Sequence, residues 1–181
     1  MENNPPVTHW YALKVFYNKV FEIEEALNQD QIENYIPCEI VFVEHHGVKK
    51  SMRKPVISSL LFFRSTEKQA LEIQQKLTDR VILYTRLAGW RKQPIAIPEC
   101  EMSIFMLVTS SGEKGLEYLS DTPVEYHSGQ KVRVIDGVFK GAEGYIHRIK
   151  GNRRLIVSIQ GVCAVATTYI PQCFLQKIIE Q

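Results

Sequence analysis

No run of apolar residues in this sequence approaches the ~20 that a membrane-spanning helix requires, although 45% of its 181 residues are hydrophobic. The four cysteines, Cys38, Cys100, Cys163 and Cys173, are scattered and form no C-x-x-C pair. Zinc-ligand spacing is therefore missing, and no disulfide framework is expected in a reducing compartment. No P-loop, dinucleotide fingerprint or nucleophile elbow occurs, and Gly141-Ala142-Glu143-Gly144 lacks the Lys-Ser/Thr of a phosphate loop. Paired carboxylates suited to acid–base work are missing too. His45-His46 has no Cys, Asp or His at ligand spacing beside it and reads as a solvated pair. The expectation is no catalytic residue, no metal and no cofactor, hence not an enzyme. The opening Met1-Glu2-Asn3-Asn4-Pro5-Pro6 has neither the basic nor the apolar stretch of a secretory leader, which predicts a cytoplasmic chain with no membrane partner.

The charge is small in sum and uneven along the chain. The net value is +2, yet residues 129–181 hold eight basic against three acidic side chains, a net of +5. Residues 111–128 hold one lysine against four acids, a net of −3. A basic module behind an acidic connector is the simplest organisation that gives this pattern, and it permits contact with nucleic acid.

The first half alternates strand and helix signals. His9-Trp10-Tyr11-Ala12-Leu13-Lys14-Val15 is aromatic and β-branched and reads as a strand. Asn18 is a candidate cap for a helix whose face is Val20, Ile23, Ala26 and Leu27. The apolar runs 39–43 and 56–63, around a polar segment containing Gly47, predict a long hairpin with Lys49, Lys50, Arg53 and Lys54 near its tip. Thr66-Glu67-Lys68-Gln69 fits a capping box before a second helix. Val81 to Tyr84 reads as a strand. Pro98 suits the first turn of a third helix with Met102, Phe105 and Met106 inside. The result is an α+β sandwich with helices on an antiparallel-rich sheet over residues 8–109, followed by a linker over 110–128.

The tail changes period. Val132 and Val134, Ile146, then Leu155, Val157 and Ile159, then Val162, Ala164 and Ala166 recur at period two between Gly-containing turns. Four or five short strands over residues 129–181 predict a small SH3-like β-barrel.

Within it, Gly129-Gln130-Lys131-Val132-Arg133-Val134-Ile135-Asp136-Gly137-Val138-Phe139-Lys140-Gly141-Ala142-Glu143-Gly144-Tyr145-Ile146 resembles the KOW motif. The match lies in Val132, Val134, Gly137, Phe139, Gly141, Gly144 and Ile146. The strand at 9–15, the following helix, Tyr35-Ile36-Pro37, a basic segment and the run from Pro55 to Phe63 resemble the N-terminal domain of the NusG family. The order of domains is similar over nearly the whole chain. In place of the family's Pro-Leu-Phe-Pro-x-Tyr-Leu-Phe-Val-like run stands Pro55-Val56-Ile57-Ser58-Ser59-Leu60-Leu61-Phe62-Phe63, which departs at several positions. That departure makes the chain similar in character to specialised paralogues of the RfaH and UpxY type, which are antiterminators.

The resemblance implies a regulator of transcript elongation that sits on the clamp region of RNA polymerase through an exposed apolar patch of Tyr11, Ile57, Leu60 and Phe62. For Lys49, Lys50, Arg53 and Lys54 two readings stand, a solvated hairpin that blocks aggregation or contact with upstream DNA. By the same resemblance Lys14, Lys19 and Arg86 would meet non-template DNA. The KOW domain would recruit Rho or a ribosomal protein, and the chain would act as a monomer. The competing class is a KOW-bearing RNA-binding or ribosome-associated protein.

Overall fold

The computed structural model describes residues 6–45, 48–120, 129–149 and 151–179. In chain order its elements are β1 (His9–Val15), α1 (Val20–Gln29), β2 (Asn34–Tyr35), β3 (Cys38–His45), β4 (Val48–Pro55), β5 (Leu60–Ser65), α2 (Glu67–Lys76), β6 (Val81–Leu83), β7 (Thr85–Ala88), β8 (Arg91–Pro94), α3 (Glu99–Thr109), β9 (Glu117–Ser120), β10 (Gln130–Val134), β11 (Glu143–Ile149), β12 (Asn152–Ile159), β13 (Cys163–Tyr169) and β14 (Leu175–Lys177). The class is α+β with antiparallel pairing throughout. Two compact units emerge, one of Met1–Ile36 with Ile57–Glu99, the other of Pro37–Val56 with Cys100–Gln181.

The first unit is built on a sheet ordered β2-β5-β1-β6. Its central strands read HWYALKV and LLFFRS, with almost no polar interruption. A strand covered on both faces loses the apolar–polar alternation of a half-solvated one, and Leu60, Leu61, Phe62 and Phe63 are all buried. Helix α1 packs against β5, and α2 against β6. Gln74 on α2 accepts the Leu83 N–H at 2.9 Å. Thr66 caps α2 as its sequence predicts, its hydroxyl accepting the Gln69 N–H at 3.2 Å. Asn18 does not cap α1. It and Tyr17 sit in the left-handed region, at φ 56° and 59°, and Lys19 occupies the cap position with no side-chain bond. Asn tolerates that conformation better than most residues, so its role here is the turn.

The long hairpin differs from expectation in which residues form it. Its arms are β3 and β4, paired from Cys38↔Pro55 to His45↔Val48. The basic segment is thus a strand in its own right, and residues 60–65 pair with β1. A two-stranded ribbon has no buried face to enforce alternation, so polarity did not mark β4 as a strand. The Val56 N–H donates to the Pro37 carbonyl at 3.0 Å and closes the ribbon base. A second two-stranded ribbon, β7 with β8, was not foreseen at all.

In the second unit the C-terminal sheet runs β14-β10-β11-β12-β13-β9. Between the pairs Arg154↔Tyr169 and Ile156↔Ala166 two steps along β12 face three along β13, so the register shift puts the extra residue of a bulge in β13, which bends that strand and increases its twist. Val132, Val134, Phe139, Leu155, Val157 and Ile159 are buried. Strand β9 falls within residues 110–128, read above as linker, and pairs with β13; residues 121–128 lie outside the described residues. On α3 the buried stripe is Met102, Phe105 and Val108, with Met106 half-buried.

Candidate docking and nucleic-acid-binding surfaces

Register decides which of the expected docking residues share a face. Tyr11 pairs with Phe63, Ala12 with Phe62, and Lys14 with Leu60. Since side chains alternate along a strand, Trp10, Ala12, Lys14, Leu60, Phe62 and Arg64 point to one side, and Tyr11, Leu13, Leu61 and Phe63 to the other. Tyr11 is therefore on the opposite face from Leu60 and Phe62. Its ring lies 5.9 Å from that of Phe63. Burial, and after it the Glu67 carboxylate, push its phenol above the ordinary value.

Exposure corrects the patch further. Tyr11, Leu60 and Phe62 are 1%, 2% and 0% exposed, so the apolar surface expected of them is core. The reason is the doubly covered sheet. Ile57, in the turn whose carbonyl accepts the Leu60 N–H at 3.2 Å, is half-buried. On the Leu60 side the aromatic from β1 is Trp10, whose indole N–H donates to Glu99 at 3.1 Å, and whose carbonyl accepts the Ile97 N–H at 2.8 Å. Arg64 reaches Glu99 at 3.6 Å and Glu33 at 3.5 Å. At one end of this face the row Leu60–Lys14–Ile82 crosses three strands, and its last two side chains are exposed.

The basic candidates fall into separate groups. Lys14 is on β1, Lys19 beside α1 within 3.1 Å of Glu22, and Arg86 on β7. Lys49, Lys50, Arg53 and Lys54 run along β4 rather than clustering at a tip, on alternating faces. Lys54 meets Glu39 at 3.1 Å, an exposed pair of the kind that contributes ~0–1 kcal/mol. Between these cations stand Ile40, Phe42, Val48 and Met52, all at least half exposed. The His45-His46 pair falls partly outside the described residues; among those described, no cluster of His, Cys, Asp and Glu could hold a metal ion.

The glycines of the KOW-like stretch have distinct local roles. Gly137 and Gly141 take φ of +84° and +93°, which close the turn after β10; the Gly141 N–H returns to the Val134 carbonyl at 2.8 Å. Gly144 faces Val132 across the ladder, and a Cβ there would collide with the Ile156 carbonyl oxygen. Ile146 is half-buried. A cleft of about 230 Å³ opens beside this turn, with Val134, Phe139, Tyr169, Ile170 and Phe174 among its walls and Glu113 and Asp136 at its polar part. Much of the tail's basicity is engaged internally. Arg133 meets Glu143 at 2.7 Å, Arg154 meets Glu117 at 3.0 Å, and Arg153 donates to the Gln172 side chain at 2.7 Å.

Sequence reasoning missed Trp10 as the β1 aromatic on the Leu60 side, and it missed β7–β8. The signal was there: Thr85-Arg86-Leu87-Ala88-Gly89-Trp90-Arg91-Lys92-Gln93 places glycine at the first position of a two-residue turn.

A family model described as "Transcription termination factor nusG" matches residues 8–106. Among solved structures, one described as "Domain interaction in Thermotoga maritima NusG" is similar at 14% identity, covering 96% of this chain and 98% of that one, with a TM-score of 0.48. No curated protein matches the chain.

Proposed function

The chain belongs to the NusG family of transcription factors, and from that premise we propose that it regulates elongation by binding RNA polymerase through its first unit. The observation that carries the reading is the family match over residues 8–106, which takes in the whole β2-β5-β1-β6 sheet. The clamp region of the polymerase is the contact we assign, and it acts by binding rather than catalysis. Leu60 and Phe62 lie beneath the surface, so the polymerase meets the accessible end of their face, Lys14 and Ile82, the last 51% exposed, together with Ile57 in the turn that precedes Leu60. A charged substitution there disturbs docking without emptying the core.

Upstream DNA is the assigned partner of β4, whose Lys49, Lys50, Arg53 and Lys54 project from a narrow ribbon. Closely spaced phosphates reward such cations through counterion release. Holding clamp and DNA together would keep the polymerase in its elongating state, the outcome of an antiterminator like the RfaH- and UpxY-type paralogues. The C-terminal sheet, with its KOW-like turn and apolar cleft, carries the second partner, Rho or a ribosomal protein. Its paired arginines weigh against a bare RNA-gripping tail.

The test is a pull-down of core RNA polymerase from the native host by the tagged full-length chain. Ile82→Asp with Lys14→Glu should weaken capture at least about tenfold, with circular dichroism unchanged. Undiminished capture by that folded variant removes this end of the face from the account, and capture of ribosomal particles instead of polymerase replaces the reading.

A further inference from the structure

The cleft of about 230 Å³ beside the β10–β11 turn has walls of unlike kinds. Its floor is core, since Val134, Phe139 and Ile170 are at most 3% exposed. Its rim is apolar and solvated, with Val138 at 57% and Tyr169 at 59%. The half-buried Phe174 completes it, one ring carbon 3.3 Å from where a Cβ on Gly137 would stand. Main-chain bonds hold this frame. The Ile135 N–H donates to the Phe174 carbonyl at 2.8 Å, and the Phe174 N–H donates to that of Pro171 at 3.0 Å.

Charge at the cleft runs against its surroundings. Residues 129–181 are strongly basic, yet the charged side chains lining the cleft are two acids, Glu113 and Asp136, with no lysine or arginine among them. Other acids of this sheet are neutralised where they stand. Glu117 meets Arg154 at 3.0 Å, and Glu143 meets Arg133 at 2.7 Å. Among the described residues no ion pair engages Glu113 or Asp136. Asp136 accepts the Gly137 N–H at 2.8 Å, which folds its carboxylate over the turn. Glu113 is half-buried, its N–H donating to the Ser111 hydroxyl at 3.3 Å.

An anionic ligand, nucleic acid above all, is repelled by this lining. A wholly apolar one would strip water from two carboxylates and replace it with nothing. A cation on an apolar stem suits both walls. Its stem packs on Val138 and Phe174, its charge meets Glu113 or Asp136, and the faces of Tyr169 and Phe174 attract it further. Arginine combines these contacts best, because its planar guanidinium pairs with carboxylates and also stacks on aromatic rings. A small free cation would leave the rim of Val138 and Tyr169 in water, whereas a chain carrying the cation between apolar neighbours covers that rim. We propose that the cleft recognises an arginine side chain on an extended, otherwise apolar segment of a protein partner. This deepens, and rests on, the reading of the C-terminal sheet as the carrier of a protein partner; it adds the chemistry by which the partner is chosen.

The experiment follows amide signals of the isotope-labelled full-length chain by NMR. The probe is a short amidated peptide with a central arginine between leucines, and it should shift the signals of Gly137, Val138 and Tyr169. Glu113→Gln with Asp136→Asn should weaken binding at least about tenfold through loss of the charged contacts. The fold of the turn survives that change, since an asparagine side chain accepts the same Gly137 bond. Tyr169→Ala should weaken binding about threefold, the scale of one exposed cation–ring contact. The proposal is overturned if a peptide with central glutamate binds as tightly, if the double variant binds within about twofold of the parent, or if spermidine shifts the same signals at equal or lower concentration. Purified Rho and ribosomes of the native host, titrated in parallel, separate the cleft from the reading beneath it. Equal binding of either one to the parent and the double variant overturns the cleft and keeps a partner on the C-terminal sheet. Binding of neither, with the peptide also silent, overturns both.

Discussion

Strand β5 and the ribbon β3–β4 are both rich in apolar side chains, yet they use them in opposite ways. In β5 four consecutive residues, Leu60 to Phe63, are at most 2% exposed. In the ribbon Ile40, Phe42, Val48 and Met52 are 50–75% exposed and interleaved with lysine and arginine. The run that looks greasy enough to be a docking surface is the core. The solvated apolar side chains sit in segments whose sequence looks too charged to need explaining. A hydrophobic run tells that burial will happen; only register and neighbours tell what does the burying.

The sharpest way to break this comparison is to truncate one aromatic from each region. Phe62→Ala should lower stability by about 3–5 kcal/mol through lost burial and a residual cavity, read from urea unfolding. Phe42→Ala should change it by no more than about 0.5 kcal/mol, as exposed substitutions do. Equal losses would mean that the ribbon is part of the core after all. Next in size is Gly144→Ala. Its methyl meets the Ile156 carbonyl, and overpacking of that kind typically costs about 1–3 kcal/mol, seen as a lowered unfolding midpoint of the C-terminal sheet.

How much of this was legible depended on whether a buried face existed to impose a pattern. The strand at 9–15, the Thr66 cap, the α3 stripe at Met102 and Phe105, and the period-two strands of the tail all announce themselves. The strand at 9–15 shows as an unbroken apolar run because both its faces are covered, the cap shows in its own side chains, and α3 and the tail strands repeat because one side meets the core. Residues 48–55 and 85–94 do not, since neither ribbon has a covered face, and both went unread as strands. Tyr11 misled for another reason. Adjacent aromatics on one strand must point to opposite faces, and the sequence does not say which of Trp10 and Tyr11 takes which.

Smaller effects sharpen the contrast between ribbon and body. Lys49→Ala with Lys50→Ala should reduce the salt dependence of duplex binding by about 1.8 in slope, at roughly 0.9 per phosphate contact, with stability unmoved. The least conspicuous prediction concerns thiols. Burial pushes Cys163 up to about 12, so at about pH 8 only about one molecule in ten thousand carries its thiolate, the reactive form. Cys100 and Cys173 are exposed. Alkylation followed by mass spectrometry should label both of them while sparing Cys163 until the chain is unfolded; rapid labelling of Cys163 in the native chain would place it outside the C-terminal core.

Among the described residues the ribbon β3–β4 is a sheet of two strands. Such a pair is marginally stable in water by itself, so its amide protons should exchange with solvent through local opening far sooner than those of β5. A segment held so loosely can accept replacements along its length without unfolding the rest of the chain. Selection can therefore retune its grip on a partner one side chain at a time.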